Sequence, residues 1–247
     1  VFHGDCMDFM RQFPDGYFDL GVIDPPYGIG EDGRKTASRA AVKSFDKRNG
    51  AEIKVKVKPY KSAGWDNDPP NQDYFNELFR VSKRVIIWGE NYMDFEQKKT
   101  SAGRIFWDKV NGECDFSDGE MAWTNCINSV RQVEYMWNGF LQGKSIAEGR
   151  VSQGNRKLCE ERYQPCQKPV LLYEWTFRNY AKPGDKILDT HMGSQSSRIA
   201  AYKLGFDYWG SELDADYFRN GCARFEKEIA MPLFDAIVQP KQEKLFV

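Results

Sequence analysis

Two hydrophobic periods divide the chain. Phe18-Asp19-Leu20-Gly21-Val22-Ile23 is a short, mostly apolar run, as a strand covered on both faces requires. It stops at Asp24-Pro25-Pro26-Tyr27, where paired prolines end sheet hydrogen bonding and stiffen a turn. Helical spacing follows over residues 72–82, then an apolar strand over 84–88 and a further helix over 92–99. Extended runs cover 104–107 and 120–124. The last third repeats the logic: Lys186-Ile187-Leu188-Asp189 reads as a strand, 190–195 as a turn, and 196–204 as a helix stopped by Gly205. Residues 207–212 read as a strand ending on the carboxylate of Glu212, before an amphipathic helix over 214–229. Strand, glycine turn, helix, strand and acid form a βαβ unit whose ligand edge lies at the strand carboxyl ends. Residues 110–165, rich in Asn, Gly, Gln and aromatics, show weak periodicity and read as an irregular insert with short strands. The expected architecture is one α/β domain over residues 1–247, with a doubly wound, mostly parallel, Rossmann-like sheet.

Composition narrows the classes. With 247 residues, 41% of them hydrophobic and 15% aromatic, the chain can bury a sizeable core and is neither disordered nor fibrous. Lys and Arg number 35 against 36 Asp and Glu, a net charge of −1 that excludes a uniformly basic nucleic-acid coat. That balance hides a contrast. Residues 34–62 hold ten basic and two acidic side chains, a local +8, which leaves −9 for the remainder. No apolar run approaches the roughly 18 residues of a membrane helix. The first residues, Val1-Phe2-His3-Gly4-Asp5, lack a secretory pattern, so no membrane contact and a cytoplasmic location are expected. Cys6, Cys114, Cys126, Cys159, Cys166 and Cys222 form no C-x-x-C pair and only His3 and His191 accompany them, so reduced thiols and no metal site are expected.

Two turns carry the candidate chemistry. In Asp24-Pro25-Pro26-Tyr27 the carboxylate can accept from an exocyclic amine beside the Pro25 carbonyl, and Tyr27 offers a ring for a flat base. The plain alternative is a strand-ending turn, since Asp and Pro are common turn formers. In the second turn Asp189 ends one strand and Glu212 ends the next, 23 positions later, where an acid can bind ribose hydroxyls. G-x-G-x-x-G and Walker signatures are missing, which favours a nucleoside ligand without phosphate over a dinucleotide or ATP.

Together these residues resemble the amino-methyltransferases that use S-adenosylmethionine, specifically the β-group DNA methyltransferases. That family carries D-P-P-Y as its catalytic motif and D-P-F-x-G-S-G as its cofactor loop. Gly4-Asp5 resembles the family's G-D element, and Gln164-Pro165-Cys166-Gln167-Lys168-Pro169 resembles its H-P-T-Q-K-P. Trp107-Asp108-Lys109 and Gly119-Glu120-Met121-Ala122-Trp123 match further recurring stretches. Catalytic motif first and cofactor loop last is the circularly permuted β-group order. Thr190-His191 stands in place of Pro-Phe, Gln195 in place of the second loop glycine, and Gln164 in place of His.

The resemblance implies a site-specific DNA methyltransferase with S-adenosylmethionine as cofactor. Asp24, Pro25, Pro26 and Tyr27 are then catalytic, and Asp5, Cys6, Lys168, Asp189, Met192, Gly193, Ser194, Glu212 and Leu213 hold the cofactor. Asp at position 24, where cytosine-N4 enzymes usually carry Ser, tilts the target to adenine N6, with the base flipped out to reach the cleft. Phe45, Trp65 and Trp123 are further stacking candidates, Trp123 being better suited to the core. Within residues 28–66, Arg34, Lys35, Arg39, Lys43, Lys47 and Arg48 are expected to contact DNA phosphates, edge-strand protection by lysines being the alternative. Residues 110–165 are the expected target-recognition insert. A homodimer and a cognate restriction endonuclease are compatible partners. Cytosine N4, RNA, a protein glutamine and a non-catalytic nucleic-acid-binding role remain open alternatives.

Overall fold

The computed structural model describes residues 1–30, 64–111, 117–138 and 141–230, with the backbone of Ser44–Phe45 and Glu52–Ile53. Its centre is an eight-stranded sheet. In chain order the strands are β1 (Phe2–His3), β2 (Leu20–Ile23), β5 (Val85–Trp88), β6 (Arg104–Asp108), β7 (Gly119–Thr124), β8 (Val130–Glu134), β11 (Lys186–Asp189) and β12 (Asp207–Glu212). Two small hairpins lie outside it, β3 (Ser44–Phe45) with β4 (Glu52–Ile53) and β9 (Trp137–Asn138) with β10 (Leu141–Gln142). Across the sheet the order is β1-β12-β11-β2-β5-β7-β6-β8. All its pairings are parallel except those of β7, which runs against both neighbours.

The helices are α1 (Cys6–Met10), α2 (Gln72–Val81), α3 (Val170–Tyr180), α4 (Ser196–Leu204) and α5 (Ala215–Ala230). Local chemistry sets their ends. Asn71 accepts from Tyr74 N at 3.1 Å to start α2, and Asp214 accepts from Asp216 N and Tyr217 N at the head of α5. Strand β5 shows why both faces must be covered. Val85 and Ile87 pack with Phe75 and Leu78 of α2, while Ile86 and Trp88 pack in a second cluster with Leu172 and Phe177 of α3 and Ile199 of α4. Each fully buried side chain of this size contributes about 1.5–3 kcal/mol, so the period of two is strongly enforced.

The doubly wound, mostly parallel α/β sheet expected from the sequence is what the chain forms. Its connections reverse at one place. From β11 the chain passes through α4 to β12 on one side, and from β2 it passes through α2 to β5 on the other. The crevice at the carboxyl ends of β11 and β2 is therefore the topological switch point. Asp189 and Asp24 stand at its rim.

Two expectations need correction. Residues 92–99 form no α-helix; 3-10 turns cover Glu90–Tyr92 and Glu96–Thr100, and Met93 and Phe95 between them are both buried. Apolar residues two apart are an extended pattern, and Phe95 uses it to stack on Phe75. Residues 110–165 are likewise not wholly an insert, because β7 and β8 belong to the main sheet. Strand β8 buries only Val133 fully, which leaves little periodicity to read. What stands apart from the sheet begins at the β9–β10 hairpin.

Candidate active site

The catalytic turn is clamped from below. Asp66, buried, takes the amides of Tyr27 and Gly28 on one oxygen at 2.7 and 2.8 Å, satisfying donors that the Pro-Pro turn leaves without a strand partner. Tyr27 lies against Gly89, whose φ of 71° is left-handed and whose added Cβ would sit 2.1 Å from the ring. Tyr92, half exposed, stacks on the same ring at 5.2 Å with planes 15° apart. The Tyr27 hydroxyl donates to Asp24 Oδ1 at 2.8 Å and also lies 3.2 Å from Glu120 Oε2.

Lys168 closes this cluster. Its ammonium donates to Asp24 Oδ1 at 2.5 Å, to Tyr27 Oη at 2.8 Å and to Glu120 Oε2 at 2.9 Å. Lys109 binds the other oxygen of Glu120. Burial pushes the Asp24 carboxyl above its usual range; the Lys168 ammonium pulls it back and Glu120 adds to the rise. Glu120, facing two ammoniums, is held well below the carboxylate range despite its burial. Asp24 Oδ1 takes both bonds to Asp24, so Oδ2 is the oxygen with none among the described residues.

Beside it lies the second turn. Asp189, buried, accepts His191 N at 3.0 Å on one oxygen and the Ser197 hydroxyl at 2.5 Å on the other. Glu212 accepts Gly193 N at 2.8 Å and Asp214 N at 2.9 Å, tying the loop to the end of β12. Burial lifts Asp189 to about 7, with the Asp24 and Glu212 charges adding to the rise. Among the described residues no lysine or arginine pairs with Asp189 or Glu212. A buried carboxyl raised further by two neighbouring carboxylates suits a ligand carrying positive charge on a nucleoside, such as a sulfonium. Gly193, at φ 48°, lets the Gln164 amide pack on the loop; an added Cβ would lie 2.3 Å from it. Gln195 keeps the left-handed φ of 60° at the head of α4, and its buried side chain bonds Phe218 O and Arg198. A glutamine thus holds a left-handed backbone that glycine adopts at least cost.

The structure brings Asp24, Tyr27, Lys168, Asp189, Gly193 and Glu212 to one crevice. Met192 and Ser194 are buried in the loop, with Met192 against Gly210. Asp5 caps α1 by accepting Met7 N at 2.7 Å, and Leu213 is 68% exposed. Burial pushes the Cys6 thiol up to about 12, so it stays protonated. His191 is lowered to about 4 by burial and stays neutral. Trp123 is core, its indole donating to Lys98 O. Arg34, Lys35, Arg39, Lys43, Lys47 and Arg48 lie outside the described residues, as does the side chain of Phe45. Sequence reading missed Asp66, Lys109, Glu120 and Tyr92 as site residues. For Lys109 and Glu120 a signal existed, since both fall in the recurring stretches around Trp107 and Trp123.

A doubly wound sheet with a D-P-P-Y turn and an acidic crevice without a glycine-rich phosphate signature at its switch point fits one class, a nucleoside-cofactor enzyme of the amino-methyltransferase type. A family model described as DNA methylase matches residues 18–222, and the chain belongs to that family. It is a DNA methyltransferase of the N6/N4 type, and the family's cofactor is S-adenosylmethionine. YubD of Escherichia coli (strain K12) is 26% identical over 234 residues, covering 90% of this chain and 87% of its own length. The type II methyltransferase M2.MboI of Moraxella bovis is 21% identical over 255 residues, covering 92% of this chain and 87% of its own. In fold, the chain is similar to the crystal structure of TTHA0409 from Thermus thermophilus, with a TM-score of 0.50 and 17% identity over 93% of this chain and 95% of that one. No helix among the described residues is long and apolar enough to cross a membrane.

Proposed function

We propose that the chain transfers the methyl group of S-adenosylmethionine to the N6 amine of an adenine flipped out of duplex DNA. One observation carries this reading: Asp24 is a carboxylate at the switch point, with Oδ1 held by Tyr27 and Lys168 and Oδ2 left to accept an amine hydrogen. A serine at this position, as in the family's usual cytosine-N4 motif, would offer a hydroxyl instead of an ionised acceptor.

The exocyclic amine of adenine is a poor nucleophile because its lone pair is delocalised into the ring. If Asp24 Oδ2 and the Pro25 carbonyl accept its two N–H bonds, the nitrogen moves toward tetrahedral geometry and its lone pair points at the incoming carbon. When bound, the cofactor would supply an electrophilic methyl, its bond to sulfur breaking as the bond to nitrogen forms. The methylated nitrogen then carries one proton too many, and Asp24, raised by burial, is the nearby carboxylate suited to take it. Asp189 and Glu212 would hold the charged, hydroxyl-rich part of the cofactor, with Gly193 keeping the backbone close. The stacked pair Tyr27 and Tyr92 offers the aromatic surface for the base.

Tritiated-methyl transfer to duplex DNA, RNA and protein tests the substrate class. Wild-type protein is expected to label DNA, and Asp24→Ala to lower the rate about 100-fold or more while cofactor binding persists. Label in RNA or protein alone, or an Asp24→Ala rate equal to wild type, would overturn the reading.

A further inference from the structure

We propose that Glu120 is a positioning residue for the reaction, sharing the Lys168 ammonium with Asp24 so that the lysine orients the carboxylate through Oδ1 while Oδ2 is kept for the target amine. The inference rests on the reading of Asp24 as that acceptor.

Four charged side chains from four places in the chain meet here. Asp24 follows β2, Lys109 follows β6, Glu120 lies on the reversed strand β7, and Lys168 precedes α3. Lys168 is 3% exposed at its side chain and has three N–H bonds, which go to Asp24, Tyr27 and Glu120. Were Asp24 its sole counter-charge, a buried ammonium would form a tight one-to-one pair and compete directly with the substrate amine for the carboxylate. Glu120 shares the ammonium as a second counter-charge at 2.9 Å, while Asp24 keeps the shorter contact at 2.5 Å through Oδ1 alone. Lys109 in turn keeps Glu120 from carrying an unbalanced charge, so two ammoniums face two carboxylates and the cluster is neutral as a whole. The Tyr27 hydroxyl donates its one proton to Asp24 Oδ1 at 2.8 Å and lies 3.2 Å from Glu120 Oε2. Asp189, Tyr173 and Cys166 also face the group electrostatically; none of them is an ammonium or guanidinium.

The arrangement makes opposite predictions for two neighbours. Removing the Glu120 charge makes the surroundings of Asp24 more positive and lowers the pH at which Asp24 takes a proton. Removing the Lys109 charge makes them more negative and raises it.

Single-turnover methyl transfer to duplex DNA is measured across pH at saturating S-adenosylmethionine, so that protonation of Asp189 does not set the acidic limb. Glu120→Gln is expected to move that limb to lower pH by on the order of one unit, and Lys109→Met to move it to higher pH. Glu120→Asp is expected to restore the wild-type limb, and the single-turnover rate at saturating DNA is expected to change more than the DNA concentration that half-saturates it. Melting curves show whether each variant folds; if Glu120→Gln does not, Lys109→Met and Glu120→Asp still decide the direction. Limbs that stay at the wild-type pH while the rates fall would overturn the proposal and leave Glu120 a structural support. Label found on cytosine would instead overturn the adenine reading, while the limb positions still report on Glu120 and Asp24.

Discussion

Gly89 shows how single residues fix this site. Its left-handed backbone and lack of a Cβ give the Tyr27 ring its seat. Gly89→Ala therefore combines strain with a clash against a held ring, and is expected to cost about 1–3 kcal/mol of stability and to lower methyl transfer. Melting and transfer assays on the same preparation check both. Asp189 makes a second prediction. Its carboxyl, near 7 in the folded protein against roughly 3.9 unfolded, favours the fold in acid, and that contribution is lost as pH rises through 7. A cationic cofactor reverses the preference by favouring the ionised form. Cofactor affinity is expected to rise on the order of tenfold from pH 6 to pH 8, read by calorimetry, with His191 silent because it is already neutral. Asp24, Asp189 and Glu212 were legible in the sequence because each stands at a strand end beside a turn, and Tyr27 because it closes the Asp24-Pro25-Pro26-Tyr27 turn. Glu120 and Lys109 fall in recurring stretches, but their roles were not legible, since Lys109 pairs with Glu120, Glu120 with Lys168 from a distant segment, and an ion pair leaves no periodic trace.

Among the elements, α5 reaches back to the cofactor loop through Arg224. Its guanidinium, fully buried, donates to Ser194 O at 2.8 Å, to Ser196 Oγ at 2.9 Å and to Glu160 Oε1 at 2.6 Å. Glu160 also accepts Val170 N at 2.9 Å, capping α3 from outside the helix. Arg224→Met strands a buried carboxylate and is expected to destabilise by about 3–5 kcal/mol in denaturant titrations, with Arg224→Met/Glu160→Gln recovering part of the loss. The βαβ unit over β11, α4 and β12 was readable because apolar runs, Gly205 and the terminal acid agree at every level. The reversed strand β7 and edge strand β8 were harder. Direction is not encoded in a period of two, and β8 buries too little of itself to alternate.

At the scale of the molecule, near-neutral charge conceals an acidic body and one basic segment, 34–62, outside the described residues except for its short strand pairing. That segment follows the catalytic turn in sequence, and its lysines and arginines are expected to meet phosphate. Neutralising Arg34, Lys35, Arg39 and Lys43 is expected to flatten the salt dependence of DNA binding, by about 0.9 in log–log slope for each phosphate no longer neutralised. Binding isotherms over a salt series provide the check, and an unchanged slope would assign the charges to another role. The central claim is that Asp24 directs the methyl group to adenine. Its most direct test is incubation of unmodified duplex DNA with the protein and methyl-labelled S-adenosylmethionine, followed by digestion to nucleosides and mass spectrometry. The account predicts labelled N6-methyldeoxyadenosine; label in N4-methyldeoxycytidine, or none in the DNA, would contradict it.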